Sequence, residues 1–259
     1  MTVPGVIRFD PKGPKEGLAQ WPAIDPAHLT AGTPVQTGHT YVEDKALGLE
    51  CGVWTCTPMT TKPSPYSVNE YMIVLEGSVH IDEPNGKSTH IKAGQSFLIP
   101  KGLVCSWRQT EAIRKFFVIW DDASGAKADA AKLSVLLPNG DVKLTPSEIP
   151  DPTIFVGGVP KQASHTWHTD PTGQWTVGTW ETTPFTRKVA PFNRYELMHL
   201  LEGSVTLSDA SGNSETFKKG DTFMVTKGAP ISWSNKEYVK KIYCIFMPKA
   251  AAAQSAAAE

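Results

Sequence analysis

The sequence predicts an all-β protein made of two tandem copies of one unit, each an antiparallel sandwich or barrel. Shifting the chain by 126 residues aligns residues 25–119 with residues 151–245 without a gap, and 34 of the 95 aligned positions are identical. Short runs of β-branched and aromatic residues, each of strand length, recur in both copies. The 21 Gly and 21 Pro separate these runs as turn signals, and helical periodicity is nearly absent.

A period of 126 residues is the size of a whole small domain and too long for a solenoid repeat. We therefore predict an N-terminal arm, a first domain, a linker, a second domain and a disordered tail, at residues 1–23, 24–121, 122–149, 150–248 and 249–259. The arm has no match in the second copy, and its Pro and Gly content predicts an extended segment that covers a sheet edge, on this domain or on a partner. Within the linker, clustered Ala and Lys make residues 122–133 the one helix candidate, and the nearly all Ala, Ser and Gln tail from Ala250 is expected to be disordered.

The strands expected in the domains follow one another in the same order in both copies. In the first copy the clearest are Tyr71–Leu75, Ser96–Ile99 and Lys115–Trp120; in the second they are Glu196–Leu201, Thr222–Thr226 and Lys241–Met247. Pro84-Asn-Gly86 and Ala210-Ser-Gly212 predict hairpin turns, since Gly readily adopts the positive φ that such turns need.

Composition excludes several classes of function. With 25 Lys+Arg against 26 Asp+Glu, the net charge is −1, and a nucleic-acid binder held by bulk electrostatics would need a basic excess. The longest apolar runs are too short to span a bilayer, and residues 1–14 lack the apolar segment of a secretory signal. The four cysteines show neither CxxC spacing nor a disulfide framework, which predicts reduced thiols in a cytoplasmic protein.

Two short motifs in each copy resemble those of the cupin family of small β-barrels. Glu, six residues and Gly span Glu70–Gly77 and Glu196–Gly203; Gly, five residues and X-Lys-Gly span Gly94–Gly102 and Gly220–Gly228. The resemblance covers nearly all of both repeats and implies two tandem jelly-roll barrels, a bicupin. Gly-x-Trp with a following Thr-Pro, a late Trp and a basic pair before aromatic residues are similar to the group named for ethanolamine-utilisation-like and ureidoglycine-aminohydrolase-like cupin domains. In this chain they lie at Trp54, Thr57-Pro58, Trp107 and Arg114-Lys115, and at Trp180, Thr183-Pro184, Trp233 and Lys240-Lys241.

The cupin metal site departs from the family pattern. Such sites use three imidazoles and one carboxylate, but here the histidine pair before Glu70 and Glu196 is missing, and Cys105 and Ile231 replace the late histidine. Stable sites for these metals usually need three or four protein ligands. We therefore expect no metal and no other cofactor.

The seven histidines offer little in place of the missing ligands. His165 and His168 have ligand-like spacing, but on a strand residues three apart point to opposite faces. His39 is the repeat mate of His165, which favours a role in the fold or between domains, with a place near a barrel mouth as the alternative. We expect His199 on an outer barrel face, and His28, His80 and His90 at surface or turn positions.

Strand alternation predicts the barrel interiors. If Glu70 and Glu196 point inward, as in the family, Met72 and Met198 do too. An unpaired carboxylate there would have a raised pKa and could act as a general acid or base or hold a ligand; the alternative is a salt bridge to Lys115 or Lys241. We name Glu70 and Glu196 as candidate catalytic residues. The candidate substrate-binding residues are Trp54, Tyr66, Met72, Cys105, Trp107, Lys115, Trp180, Phe192, Trp233 and Lys241.

The two pockets are expected to differ. Tyr66 and Cys105 make the first the more polar and more reactive, whereas Phe192 and Ile231 make the second more apolar, although Arg194 occurs only there. We expect Cys105 to be an inert buried thiol. The alternative is a nucleophile, but no base lies near it in the sequence.

We expect a bicupin that binds a small polar metabolite without the usual metal and that uses a buried Glu as acid or base if it is an enzyme. The alternatives are a Mn- or Fe-dependent enzyme like the ureidoglycine aminohydrolases and a non-catalytic assembly protein. The expected partner is a small molecule rather than a nucleic acid or a membrane, and a homodimer is plausible.

Overall fold

The computed structural model describes residues 2–149 and 151–249. Three short 3-10 turns, Pro26–His28, Ala130–Lys132 and Pro152–Ile154, are the only helical segments in these residues. The strands of the first half are β1 Val6–Phe9, β2 Ala19–Gln20, β3 Leu29–Ala31, β4 Gln36–Asp44, β5 Leu49–Cys56, β6 Met59–Thr61, β7 Ser64–Pro65, β8 Asn69–Glu76, β9 Ser78–Asp82, β10 Ser88–Lys92, β11 Ser96–Ile99, β12 Val104–Gln109 and β13 Ile113–Trp120. Those of the second half are β14 Thr145–Pro146, β15 Phe155–Val156, β16 Gln162–Thr169, β17 Trp175–Thr182, β18 Phe185–Pro191, β19 Tyr195–Glu202, β20 Ser204–Ser208, β21 Ser214–Lys218, β22 Thr222–Val225, β23 Pro230–Asn235 and β24 Val239–Phe246.

Each half folds into a jelly roll of two antiparallel sheets. In the first half, the sheet β11-β8-β13-β5-β4-β2 faces the sheet β10-β9-β12-β6-β3, to which β7 adds through β12. In the second half, the sheet β1-β22-β19-β24-β17-β16-β14 faces the sheet β15-β18-β23-β20-β21. The predicted all-β fold with two tandem jelly-roll barrels is confirmed.

Three apolar cores explain why strands such as β8 and β19 lack the alternation of a sheet with one face in water. One core fills each barrel, around Phe97 in the first and Phe217 in the second. The third contains side chains of both barrels, such as Val118 and Leu197, and joins them. Strands β8 and β19 bury one face in their own barrel and the other in this shared core, so they read as nearly continuous apolar runs.

The N-terminal arm covers a sheet edge of its own domain, as predicted, and it also covers an edge of the second barrel, which was not predicted. Its strand β1 pairs with β22 of the second barrel, and β2 pairs with β4 of the first. The linker acts in the same way for the opposite barrel: Leu136 bridges to Leu98 on the free edge of β11, and β14 pairs with β16. The segment before each barrel therefore covers one edge of the other barrel, which weakens the argument that loose edges require a dimer.

Glycines end the strands where the predicted motifs place them. Gly77, between β8 and β9, has a φ of +74°, and a Cβ there would lie 2.2 Å from the carbonyl oxygen of Ala112. Gly203 also has a positive φ, and a Cβ there would lie 2.0 Å from the carbonyl oxygen of Tyr238. The Gly of the first motif is thus fixed by both backbone conformation and space. The two predicted hairpins are also present, with Gly86 and Gly212 in their turns.

The prediction of a linker helix is wrong. Residues 122–133 form only the single 3-10 turn Ala130–Lys132, and Gly125 adopts a φ of +72° in the segment before it. Clustered Ala favours helix, but this segment has no apolar face to pack, and a short helix without packing is marginal. The predicted disorder of the tail concerns residues 250–259, which lie outside the described residues. No helix in the described part of the chain has the length and apolarity needed to cross a membrane.

Candidate functional sites in the two barrels

Each barrel contains a cavity next to the glutamate of the first motif. The first has a volume of about 360 Å³ and the second about 390 Å³, within the usual range for small-molecule sites. Of the predicted site residues, Trp54, Tyr66, Glu70, Cys105, Trp107 and Lys115 line the first cavity, and Trp180, Phe192, Glu196, Trp233 and Lys241 line the second. Met72 is buried beneath the first cavity, in contact with Lys115, and does not line it.

A buried ion pair forms the floor of the first cavity. The Lys115 Nζ lies 2.6 Å from Glu70 Oε1 and 3.0 Å from Met72 Sδ. The Lys115 and Glu70 side chains are 7% and 6% exposed. The alternation argument is correct: Glu70 and Met72 share the inward face of β8, and the neighbouring strand β13 presents Lys115 to them. The salt bridge stated as an alternative is the arrangement observed.

Two tryptophans enclose the ammonium group of Lys115. Its Nζ lies 4.8 Å from the ring centroid of Trp54 and 4.9 Å from that of Trp107, distances suited to cation–π attraction. The rings meet edge to face at 88°. Their indole N–H groups donate to Gln36 Oε1 and Gln109 Oε1, so hydrogen bonds fix the orientation of both rings.

The second barrel repeats this arrangement. The Lys241 Nζ lies 2.7 Å from Glu196 Oε1 and 3.1 Å from Met198 Sδ. It lies 4.7 Å from the ring centroid of Trp180 and 4.9 Å from that of Trp233, and these rings also meet at 88°. Both barrels therefore keep a Lys, a Glu, a Met and two Trp in one geometry. In each late basic pair the second residue points inward, whereas Arg114 and Lys240 form ion pairs with Glu76 and Glu181.

The barrels differ at the other carboxylate oxygen. In the first, the Tyr66 hydroxyl donates to Glu70 Oε2, and burial followed by the charge of Glu70 raises the pKa of Tyr66 well above its usual value. In the second, Arg194 Nε donates to Glu196 Oε2 at 2.8 Å. Burial opposes the ionisation of Glu196, but attraction to Arg194 and Lys241, with their hydrogen bonds, outweighs it and lowers its pKa to about 2.

The expectation that the second cavity is more apolar than the first is wrong. Besides Arg194, its walls include Arg187 from β18, and the exposed residues Glu148 and Asp151 lie at its rim. Arg187 was not predicted because the first copy has Thr61 at the equivalent position and because Arg187 belongs to the sheet opposite Glu196. The difference between Thr61 and Arg187 at aligned positions of the two repeats was the one signal in the sequence that could have revealed it.

Cys105 lines the first cavity as a buried thiol. Its side chain is in contact with the barrel core, and burial raises its pKa to about 11. A thiol with that pKa is protonated near neutral pH and is a weak nucleophile. The structural interpretation of Cys105 is therefore the one the geometry supports.

The histidines lie mostly away from the cavities. His39 packs against Tyr41 and His165 against Trp167, on the outer strands β4 and β16, and neither they nor His168 line a barrel cavity. His199 lies on the outer face of the second barrel, as expected, beside Thr222. His28 is in an exposed turn, as expected, but it also lines the first cavity, which its position in the sequence did not reveal.

The residues present do not fit the metal that the cupin fold often holds. At the position where a metal would need several ligands, each barrel offers one carboxylate, and an ammonium group already lies against it. The remaining candidate, the Cys105 thiol, is held in its protonated form by burial. Within residues 2–149 and 151–249, no three His, Cys, Asp or Glu side chains are grouped so that they could hold a metal ion.

Comparison with solved structures finds the same architecture elsewhere. A protein of unknown function from Pseudomonas syringae pv. tomato str. DC3000, of the DUF861 family, is 28% identical with a TM-score of 0.77, over 93% of this chain and 99% of that one. A putative glyoxylate-induced protein from Pseudomonas aeruginosa is 12% identical with a TM-score of 0.58, over 97% and 92%. Streptomyces albus HEPD, solved with 2-hydroxyethylphosphonate and Fe(II), is 10% identical with a TM-score of 0.53, over 95% and 77%. The last two similarities concern the fold alone.

Comparison with curated proteins found no match. The family model described as the EutQ-like cupin domain matches twice, at residues 45–117 and 169–243. The two matches lie in the two barrels and include both Glu–Lys pairs. The chain therefore belongs to the EutQ-like cupin family and carries two copies of its domain.

Proposed function

We propose that this protein is a metal-independent bicupin that binds a small polar metabolite in a barrel cavity. One observation carries the proposal: in both barrels a lysine ammonium group lies against the glutamate and between two tryptophans, beside an open cavity. The internal cation replaces the metal as the partner of the carboxylate, and the cavity remains available to a ligand.

The geometry favours binding over acid catalysis by the glutamates. Both oxygens of each carboxylate accept hydrogen bonds from fixed donors. Because the pKa of Glu196 is about 2, this residue is ionised near neutral pH and has no proton to give. Its role is to hold Lys241, whose ammonium group can donate to a ligand in the cavity.

Neither alternative function gains support from a specific observation. An Mn- or Fe-dependent enzyme needs a donor set that the barrels do not supply. A purely structural protein would have no use for cavities of this size beside charged groups, since packed barrel interiors would be more stable.

Metal analysis of protein purified without an affinity tag tests the first half of the proposal. We expect Mn, Fe, Ni and Zn well below one atom per chain. Stoichiometric metal that survives dialysis against a mild chelator would overturn the proposal.

A thermal-shift screen tests the second half. Wild type, Glu70→Gln and Glu196→Gln are screened in parallel against small acids, amines and sugars, because a ligand that binds the folded state raises Tm. We expect a stabilising ligand whose effect is lost in only one of the two variants, which identifies the barrel that binds it. A library without any stabilising compound contradicts the proposal.

A further inference from the structure

In the second cavity Glu196 is the one buried carboxylate among the described residues, and it faces three basic side chains. Glu196 is matched twice, by Lys241 and by Arg194. Arg187 lines the same cavity, and within the described residues no carboxylate lies within 4.0 Å of it. Glu148 and Asp151 are exposed at the rim, and Asp151 already accepts hydrogen bonds from Thr153.

Arg187 is only partly satisfied by the protein. Its Nη2 donates to the carbonyl oxygen of Ile231 at 3.3 Å, while its buried Nε has no hydrogen-bond partner among the described residues. Burial and the nearby charge of Arg194 lower the pKa of Arg187 from its ordinary value. Glu196 offsets these effects in part, but a half-buried guanidinium with an unused buried donor and a like charge beside it is favoured by a further negative group.

The two guanidinium groups lie near one aromatic ring. The Cζ of Arg187 lies 5.6 Å from the ring centroid of Phe192, and that of Arg194 lies 5.0 Å from it. Phe192 is buried and lines the cavity, so both cations lie beside the same part of the cavity wall. A carboxylate matches the fork of N–H donors that a guanidinium presents.

The first barrel lacks these features. Thr61 and Val68 occupy the positions of Arg187 and Arg194. The Tyr66 hydroxyl donates a hydrogen bond to Glu70 Oε2. Lys115 and Glu70 balance each other. The cation at its rim, Lys62, is exposed to solvent, where its attraction for an anion is weak.

We infer that the second barrel, and not the first, binds a small organic carboxylate, whose anionic group lies against Arg187 and Arg194. Met198, Phe185 and Trp233 supply apolar wall for its carbon skeleton. The inference rests on the proposed function, since it names the class of ligand for one of the two cavities. It also gives a physical use to Arg187, a cation of the cavity wall with no carboxylate within 4.0 Å among the described residues.

Matched pairs of acids and uncharged amides test this inference. Pyruvate, succinate and benzoate are titrated by calorimetry and by thermal shift against pyruvamide, succinamide and benzamide. We expect at least one acid to bind wild type at least tenfold more tightly than its amide. Arg187→Met is expected to weaken that acid at least tenfold, whereas Thr61→Val in the first barrel leaves it unchanged.

The Tm of Arg187→Met without ligand and one further variant, Lys188→Met, separate binding from folding. Without ligand, Arg187→Met is expected to raise Tm, because it removes a half-buried charge that has no carboxylate within 4.0 Å among the described residues; a merely structural arginine would give the opposite sign. Lys188→Met changes the next residue on the same strand, whose Nζ bonds to Thr153 on the barrel surface, and is expected to leave acid binding unchanged.

The outcomes distinguish this inference from the proposed function. If the acids bind no better than their amides, or bind Arg187→Met as well as wild type, the inference is wrong. If uncharged ligands from the broad screen still stabilise the protein while the acids do not, the proposed function stands and the carboxylate inference alone fails. If nothing binds, both fail.

Discussion

At the scale of single residues, the buried Lys–Glu pair is the most costly feature of this fold. Removing two charges from water costs several kcal/mol per ion, and the attraction between them offsets this only when every donor and acceptor is satisfied. Lys115 meets that condition through Glu70, Met72 and two indole faces. An apolar pair would fill the same space at lower cost, so its presence in both barrels is better explained by a ligand than by stability.

Lys115→Met tests whether the pair is ionised and buried. The substitution leaves Glu70 buried without a cation, and we expect it to cost about 3–5 kcal/mol in the free energy of unfolding measured with urea. Lys115→Met combined with Glu70→Gln should recover much of that loss. Arg114→Met, at the neighbouring position with a loose pair to Glu76 and a hydrogen bond to the carbonyl oxygen of Pro11, is the control and should cost about 1 kcal/mol or less. A Lys115→Met cost equal to the control would show that the pair contributes no buried charge.

Acid pH should weaken the second barrel through Glu196. Its carboxyl protonates near its ordinary pKa of 4.5 when unfolded and near 2 when folded, a difference equivalent to about 3 kcal/mol. The contribution to stability is therefore complete above pH 4.5 and is lost as the pH falls from there toward 2. Urea unfolding of wild type and Glu196→Gln at pH 5.5 and pH 3.0 measures it. The difference between the two proteins should shrink by about 2 kcal/mol at the lower pH; a constant difference would mean that Glu196 is not held ionised.

The sequence predicted these residues unequally, for a physical reason. Glu196 and Lys241 were predictable because strand alternation and the repeat place them together, and Lys115 follows from the same pattern. Arg187 was not, because its role depends on the distance between two strands of opposite sheets. Neither a motif nor a periodicity reports that distance.

At the scale of elements, the arm precedes the first barrel but covers an edge of the second, and the linker precedes the second barrel but covers an edge of the first. Strand β1 covers the edge of β22 in the second barrel, while Leu136 of the linker covers the edge of β11 in the first. The Pro and Gly content of the arm predicted that it is extended. It could not predict which barrel the arm reaches, because pairing over more than 200 residues depends on how the barrels pack. The linker helix failed because residues 122–133 have no apolar face to pack, and local propensity alone does not hold so short a helix.

Deleting residues 2–10 should loosen the β22 edge far more than the β11 edge. The deletion removes β1 together with the buried side chains of Val3, Val6 and Phe9. Amide hydrogen exchange in β22 is expected to accelerate strongly, because that strand loses a hydrogen-bonded neighbour. Strand β11 is the internal control, since its edge is covered by the linker, and its exchange should stay close to that of wild type. Equal acceleration in both strands would show that the arm stabilises the whole chain rather than one edge.

At the scale of the whole molecule, the two barrels share a core that neither could bury alone. Trp120 of the first barrel packs against Phe246 of the second with ring centroids 5.3 Å apart, and Cys51 and Cys244 are buried in the same cluster. Separation of the barrels would expose this apolar surface to water. The duplication therefore yields one folding unit that contains two chemically different cavities.

Heating should unfold both barrels in a single transition. In differential scanning calorimetry we expect one peak, with calorimetric and van't Hoff enthalpies that agree. Val79 and Val205 are repeat mates, each almost fully buried inside its own barrel, and provide a matched pair of probes. Val79→Ala and Val205→Ala should each cost about 2 kcal/mol and lower the same midpoint by roughly 4–8 °C. Two peaks, each shifted by only one of the substitutions, would show instead that the shared core does not couple the barrels.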